Sequence, residues 1–405
     1  MKAVVARTAL FTVLTFIIGV HTLGRGIRRF LKKPNKRPNR IVMIGTFYNQ
    51  GWFYAHVGPL VKCPLVDEVL VVCDEPVKLE LDNVSFHCPS PQLIARVGRG
   101  AARILTLLRV GWRLRPQVYM GYHIFPNGPL ALLAAGLFGG KALYQMTGGP
   151  NQVIHGGYLS ENPLLRATGG PSRVQEMLVF SLVRRFDAVV VRGSKAREFV
   201  YQRRLNKNCF VITGAIDTDK FKPGDEKDID VIYVSRLVEK KGVENYLEVL
   251  TLLCADKPNL KAGIIGDGPL RASLEQTVES TGIKNNVQFH GKLLNVAPVL
   301  SRSKVFVLLS PSEGMSIAML EAMAAGLPVV VTDVGDLSDV IAGKGGGVLL
   351  QKMEPAQAAA DIAGILDDEE VWNQCSRAAR QTILAECSVQ AIAERWQREL
   401  QGLLT

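Results

Sequence analysis

The sequence predicts an α/β chain made of two domains, each built on a parallel sheet. Three observations lead there. At 405 residues the chain is too long for one small core, and domains of roughly 150–200 residues are expected. Short runs rich in Val and Ile alternate with longer helical patterns, the arrangement that gives parallel strands joined by crossover helices. Between the halves lies IDTDKFKPGDEKDID (216–230), polar, charged and carrying a Pro-Gly turn, which reads as a linker.

In the first half the expected strands are RIVMIG (40–45), EVLVVC (68–73), QVYMGY (117–122), KALYQM (141–146), DAVVVR (187–192) and CFVITG (209–214). In the second half they are DVIYVS (230–235), LKAGIIG (260–266), VQFHG (287–291), KVFVLLS (304–310) and PVVVTD (328–333). Past residue 354 the pattern is helical to the end. The expected domains are an N-terminal segment 1–39, a first α/β domain 40–220, a second 221–385 and a terminal helix 386–405.

The net charge of +11 is concentrated at one end. Residues 25–40, RGIRRFLKKPNKRPNR, hold eight Lys or Arg and no acid; with Lys2 and Arg7 they account for ten of the eleven charges. The body is near neutral, which excludes a general nucleic-acid binder, whose basic residues would spread over a binding face. The seven cysteines form no CxxC pair and read as reduced thiols.

Residues 8–24, TALFTVLTFIIGVHTLG, are 17 uncharged residues between Arg7 and Arg25. As a helix they reach about 26 Å, marginal against a hydrocarbon core of about 30 Å. The charge that follows exceeds the charge before, which puts the body on the cytoplasmic face. A short anchor with a polybasic segment would hold the chain at an anionic membrane surface. A signal peptide, a transit peptide and a mis-started terminus are the alternatives. No acid occurs between Asp82 and Glu161, and in this gap QLIARVGRGAARILTLLRVGWRLR has Arg96, Arg99 and Arg103 at helical spacing. It reads as a basic amphipathic helix, either lying on a membrane or packed with a solvated arginine face.

The chemistry concentrates in loops at strand carboxyl ends, where open parallel sheets bind ligands. SEGMSIAMLEA (312–322) follows a buried strand and opens a helix. The amides of Gly314, Met315 and Ser316 and the helix dipole suit a phosphate. Glu321, inside an apolar run, can accept bonds from vicinal hydroxyls, and Glu313 reaches the other side of the phosphate. Phosphate flanked by polyols is a sugar nucleotide. VSRLVEKKG (234–242) adds Arg236 and Lys241, two cations able to neutralise a departing diphosphate. GIIGDGPL (263–270) offers Gly266 and Gly268 for close approach of backbone to ligand. The DxD triplets Asp217/Asp219 and Asp228/Asp230 are of a kind that holds divalent metals, but acidic linkers contain them by chance.

SRLVEKKG, IIGDGPL, SPSEGMSIAMLEAMAAGLPVVVTDVGDLSDVI and GAIDTDKFKP, taken together, resemble the family 4 retaining glycosyltransferases of the GT-B fold, over roughly residues 185–350. The resemblance implies two Rossmann-like domains facing a cleft, a donor-binding C-terminal domain, and a last helix crossing back to the N-terminal domain. It implies that Arg236 and Lys241 bind the donor diphosphate, Glu321 the ribose and Glu313 the donor sugar. It also implies no metal and no cofactor beyond the nucleoside-diphosphate-sugar co-substrate, and it accounts for Asp217 as a structural element. The first half departs from the pattern. Its first loop, GTFYNQGWF (45–53), is bulkier and more aromatic than the family's Gly-rich loop. YQMTGGPNQ (144–152) has no His where many members place one. His123 and His155 are the nearest alternatives, and Thr147, Gly148 and Gly149 could present backbone to the sugar.

The expected function is retaining transfer of a sugar to a glycan or lipid-linked acceptor near the membrane, in polysaccharide or glycolipid assembly. A sugar-nucleotide epimerase of the same fold and a non-catalytic membrane-bound scaffold are the competing readings.

Overall fold

The computed structural model describes residues 2–28, 38–47, 49–159 and 162–404. Residues 29–37, most of the polybasic segment, lie outside this description, as does Tyr48 of the first loop. The chain divides into two units, Met1–Thr213 with Ile392–Thr405, and Gly214–Ala391.

The first unit holds β1 (Arg40–Ile44), β2 (Glu68–Val72), β3 (Val84–His87), β4 (Val118–Tyr122), β5 (Lys141–Gln145), β6 (Ala188–Val191) and β7 (Cys209–Val211). They form a parallel sheet in the order β3-β2-β1-β4-β5-β6-β7. The second unit holds β8 (Ile229–Val234), β9 (Ala262–Ile265), β10 (Val287–Gly291), β11 (Ser303–Leu308), β12 (Val329–Thr332) and β13 (Gly347–Leu350). Its parallel sheet runs β10-β9-β8-β11-β12-β13. In each sheet the strand order turns back beside the first strand, between β1 and β4 and between β8 and β11. That is where parallel sheets open a crevice at their carboxyl ends. The central strands are buried on both faces, so Val42, Val71, Val231, Phe306 and Val330 read as continuous apolar runs without alternation.

Every strand expected from sequence is present, and β3 and β13 are additional. VSFH and GVLL are four residues each and partly exposed, too short to carry a pattern of their own. The expected linker is a packed part of the second unit. Phe221 is buried in its core, Asp217 Oδ1 accepts bonds from the amides of Asp219 (3.1 Å) and Lys220 (3.0 Å), and Arg380 donates to Thr218 O (2.9 Å). Asp228 is paired with Arg302, and Asp230 with Lys304 at 2.8 Å. Acidic residues that read as solvated linker thus close turns and ion pairs.

The expected basic helix is two helices, Pro91–Val97 and Arg99–Leu114, broken at Gly98 with φ 80°. Arg103 is not on a solvated face: its guanidinium clasps both oxygens of Asp74, at 2.7 and 2.9 Å. The uncharged N-terminal stretch is the middle of a longer helix, Lys2–Arg28, long and apolar enough to cross a membrane by length and composition. It packs along helix Asn127–Phe138, and Leu14, Ile17 and His21 are buried against the first unit.

Replacing Phe221 with Ala should destabilise the second unit by about 3–5 kcal/mol, because a buried aromatic leaves a cavity. A denaturant melt checks this; an unchanged midpoint would return the segment to linker status.

Candidate active site

Four loops of the second unit meet at the carboxyl ends of β8, β9, β11 and β12. After β8 a single turn, Glu239–Lys241, ends at Gly242 with φ 63°, and the helix Val243–Asp256 begins. A Cβ on Gly242 would lie 1.9 Å from Leu309 O at the end of β11, so only glycine lets the two loops touch. Contact of the backbones brings Lys241 to Glu313. Its Nζ lies 2.7 and 2.8 Å from the two carboxylate oxygens, and the Glu313 side chain keeps only 6% of its surface.

Other polar groups hold this pair. Ser310 Oγ lies 2.8 Å from Glu313 Oε1, Tyr233 donates its hydroxyl to Lys241 O at 3.0 Å, and Thr332 Oγ1 donates to Ser310 O at 2.6 Å. Asp336 N donates to Gly314 O at 2.8 Å, fixing the loop from the β12 side. Ser316 caps helix Ile317–Ala324, its Oγ accepting from Met319 N at 3.3 Å. Gly314, Met315 and Ser316 therefore lead into a helix whose first-turn amides have no intrahelical acceptor. Arg236 is exposed on the same loop as Lys241. Glu321 sits within the helix; the residue keeps some surface, yet burial pushes its carboxyl up to about 7, with Lys220 pulling the other way.

Gly266 and Gly268 have a packing role in the fold. A Cβ on Gly266 would meet Ser235 O at 1.8 Å, and one on Gly268 would meet Leu237 O at 2.3 Å. Leu237 N donates to Asp267 O at 3.0 Å. These glycines let the β9 loop pack on the β8 loop that carries Arg236. Lys241 and Glu313, expected to serve different parts of a ligand, form one ion pair here. A cavity of 390 Å³ lined by Leu247, Leu252 and Leu274 lies between two helices and contains none of these loop residues.

In the first unit the carboxyl ends of β4 and β5 assemble a second cluster. His123, at φ 61°, has Nδ1 2.6 Å from Gln152 Nε2 and 3.1 Å from Thr147 Oγ1. Tyr144 donates to Gln152 Oε1 at 2.8 Å, which orients the amide with its NH₂ toward the imidazole. Nδ1 therefore accepts, and the neutral ring carries its proton on Nε2. Trp52 stacks near-parallel to His123, with centroids 6.3 Å apart, and Phe47 lies 5.6 Å from Trp52. Beneath them burial and the nearby Arg192 hold His56 well below its usual range; its Nδ1 is 2.6 Å from Trp52 O. Gly148 packs on Gln152, and Gly149, at φ 67°, starts the turn Pro150–Gln152. His155 is exposed, its backbone N bonded to Glu176, and no described contact brings it to His123.

Ser310, Tyr233, Thr332, Trp52 and Gln152 went unread in the sequence. A serine ending the buried run KVFVLLS was the one available signal; Gln152 carries none.

Residues 215–382 match the family model described as glycosyl transferases group 1. The match covers most of the second unit and less than half of the chain. The chain is 28% identical over 251 residues to a phosphatidylinositol N-acetylglucosaminyltransferase subunit from Arabidopsis thaliana, covering 56% of each chain. It is 37% identical over 142 residues to a putative teichuronic acid biosynthesis glycosyltransferase, TuaC, of Bacillus subtilis, covering 35% of this chain and 33% of that one. The chain spans about half the length of the curated relatives it matches. In fold it resembles sucrose-phosphate synthase from Thermosynechococcus elongatus (TM-score 0.71, 18% identity, 90% of this chain and 99% of that one). It also resembles HepE of Anabaena in complex with UDP and glucose (TM-score 0.70, 17% identity, 89% and 99%). The expected fold class, paired Rossmann-like domains of the GT-B type, is thereby borne out.

Burial of Glu321 has a consequence for stability. Its ordinary value is 4.5, so between there and about 7 the folded chain keeps a proton that the unfolded chain has lost. The associated stability is full below the lower value and lost as pH rises through the upper. Thermal melts of the wild type and Glu321→Gln from about pH 5 to pH 8 should show the wild type losing stability relative to the variant. Parallel curves would rule the buried carboxyl out.

Proposed function

We propose that the chain is a retaining glycosyltransferase that moves a sugar from a nucleoside diphosphate to a glycan or lipid-linked acceptor at the cytoplasmic face of a membrane. One observation carries the reading. In a group 1 domain, Arg236, the Lys241–Glu313 pair and the helix start after Ser316 converge at the β8–β11 switch. As the glycosidic bond breaks through an oxocarbenium-like state, negative charge grows on the diphosphate. Arg236 and the amides leading into helix Ile317–Ala324 meet that charge, and Lys241 can turn to it from Glu313. Glu321 accepts bonds from the ribose hydroxyls, and Glu313 from the sugar. Side-chain cations carry the leaving-group charge, so the reaction needs no metal. The relatives, an N-acetylglucosaminyltransferase among them, and UDP with glucose bound to HepE support this class of donor and acceptor.

Calorimetric titration of the full chain with UDP, GDP, ADP, CMP and dTDP should find one nucleotide bound tightly and Glu321→Ala weakening it by about tenfold or more, the scale of a lost charge-assisted hydrogen bond. If none binds to demonstrably folded protein, the scaffold reading takes over. Arg236→Ala should cut turnover by about 10²–10³ with the melting temperature unchanged, and a chelator should leave turnover unaltered. Wild-type turnover in that variant would remove Arg236 from the reaction.

A further inference from the structure

We propose that helix Lys2–Arg28 lies in the plane of an anionic bilayer, one face docked on the first unit and the other in the lipid, and does not cross the membrane. This deepens the membrane-proximal placement proposed above, and it stands or falls independently of sugar transfer.

The docked face is a seam of Ala3, Arg7, Leu10, Leu14, Ile17, His21 and Gly24, the 3–4 spacing of one helix face. It is pinned along its length. Arg7 Nη2 donates to Thr168 O at 2.9 Å near one end, and Arg25 pairs with the largely buried Asp187 at 2.7 Å near the other. Between them a Cβ on Gly24 would lie 2.0 Å from Gly136 O, so the two helix backbones are in contact there. Ala3 to Arg25 is about 33 Å of helix, roughly the thickness of a hydrocarbon core. A helix held over that length by a folded domain has no free segment left to span.

The opposite face is built for lipid. Val4, Val5, Val13, Phe16 and Leu23 are 54–68% exposed, and no charged residue occurs between Arg7 and Arg25. Thr12 and Thr22 turn their hydroxyls back to Thr8 O and Ile18 O, so these two hydroxyls are satisfied without water. A helix facing water would carry charges here. The flanking helices expose apolar residues as well, Leu137 on one and Val174 and Met177 on the other. Charge selects the occupant. The chain leaves the helix through a segment with eight cations and no acid, and helix Arg99–Leu114 of the same unit exposes Arg109, Arg113 and Trp112. Basic and aromatic groups beside an apolar face fit an anionic headgroup layer.

The test uses the full chain with a protease-cleavable tag ahead of Met1, added to sealed vesicles of phosphatidylcholine with or without phosphatidylglycerol. Expected are co-sedimentation with the anionic vesicles, cleavage of the tag by protease added outside, and a more than roughly tenfold loss of partitioning for Phe16→Asp, about the value of burying one phenyl ring. Val13→Asp should repeat the loss, and Leu294→Asp, at an exposed site of the second unit, should not. Nucleotide titration of the same preparations reports separately on the transferase reading. A protected tag would overturn the proposal in favour of a spanning helix. Undiminished binding by both helix variants would overturn it, and so would a dimer dissolved by Phe16→Asp without any vesicle binding, because a second copy would then own the face.

Discussion

The ion pair of Lys241 and Glu313 is the constraint on which the donor-side loops depend. It joins positions 72 apart in sequence across the β8–β11 switch, and four neighbours serve it. Gly242 removes the side chain that would hold the loops apart, while Ser310, Tyr233 and Thr332 satisfy the polar atoms around it. Removing water from two charges is costly unless such bonds are complete, and here they are. The pair leaves the crevice with little net charge at rest. In the proposed reaction an incoming diphosphate competes with Glu313 for the ammonium, so the site would tighten around a charged ligand without holding a lone buried cation beforehand.

The first unit solves a different problem. His123 occupies a left-handed backbone conformation that a residue with a side chain rarely adopts, and its surroundings fix it there. Tyr144, Gln152 and His123 form one donor-to-acceptor line, each hydrogen bond setting the direction of the next. Trp52, Phe47, His56 and Tyr122 form an aromatic floor beside it.

Sheets and donor-side loops were legible because both are written in contiguous residues. Buried parallel strands are unbroken apolar runs, and SEGMSIAMLEA holds its loop, cap and helix in eleven letters. Partnership was not legible. Nothing in VEKKG announces that Lys241 closes on Glu313, and nothing in GIIGDGPL announces that Gly266 packs on Ser235. The acidic segment 216–230 misled for the same reason: Asp228 and Asp230 look solvated until Arg302 and Lys304, more than seventy residues later, arrive beside them. Gln152 was invisible because its meaning lies in Tyr144 and His123, on two other strands' ends.

The first unit is not a continuous stretch of chain. It is left at Thr213 and re-entered at Ile392, and beside the two crossings Ile216 N is bonded to Cys387 O, with Ile216 bridged to Ser388. After re-entry the chain buries Ile392, Trp396 and Leu400. In synthesis order, therefore, the first unit emerges early but stays unfinished until the second unit has been made. A chain stopped before Ile392 leaves uncovered the surface on which Ile392, Trp396 and Leu400 pack.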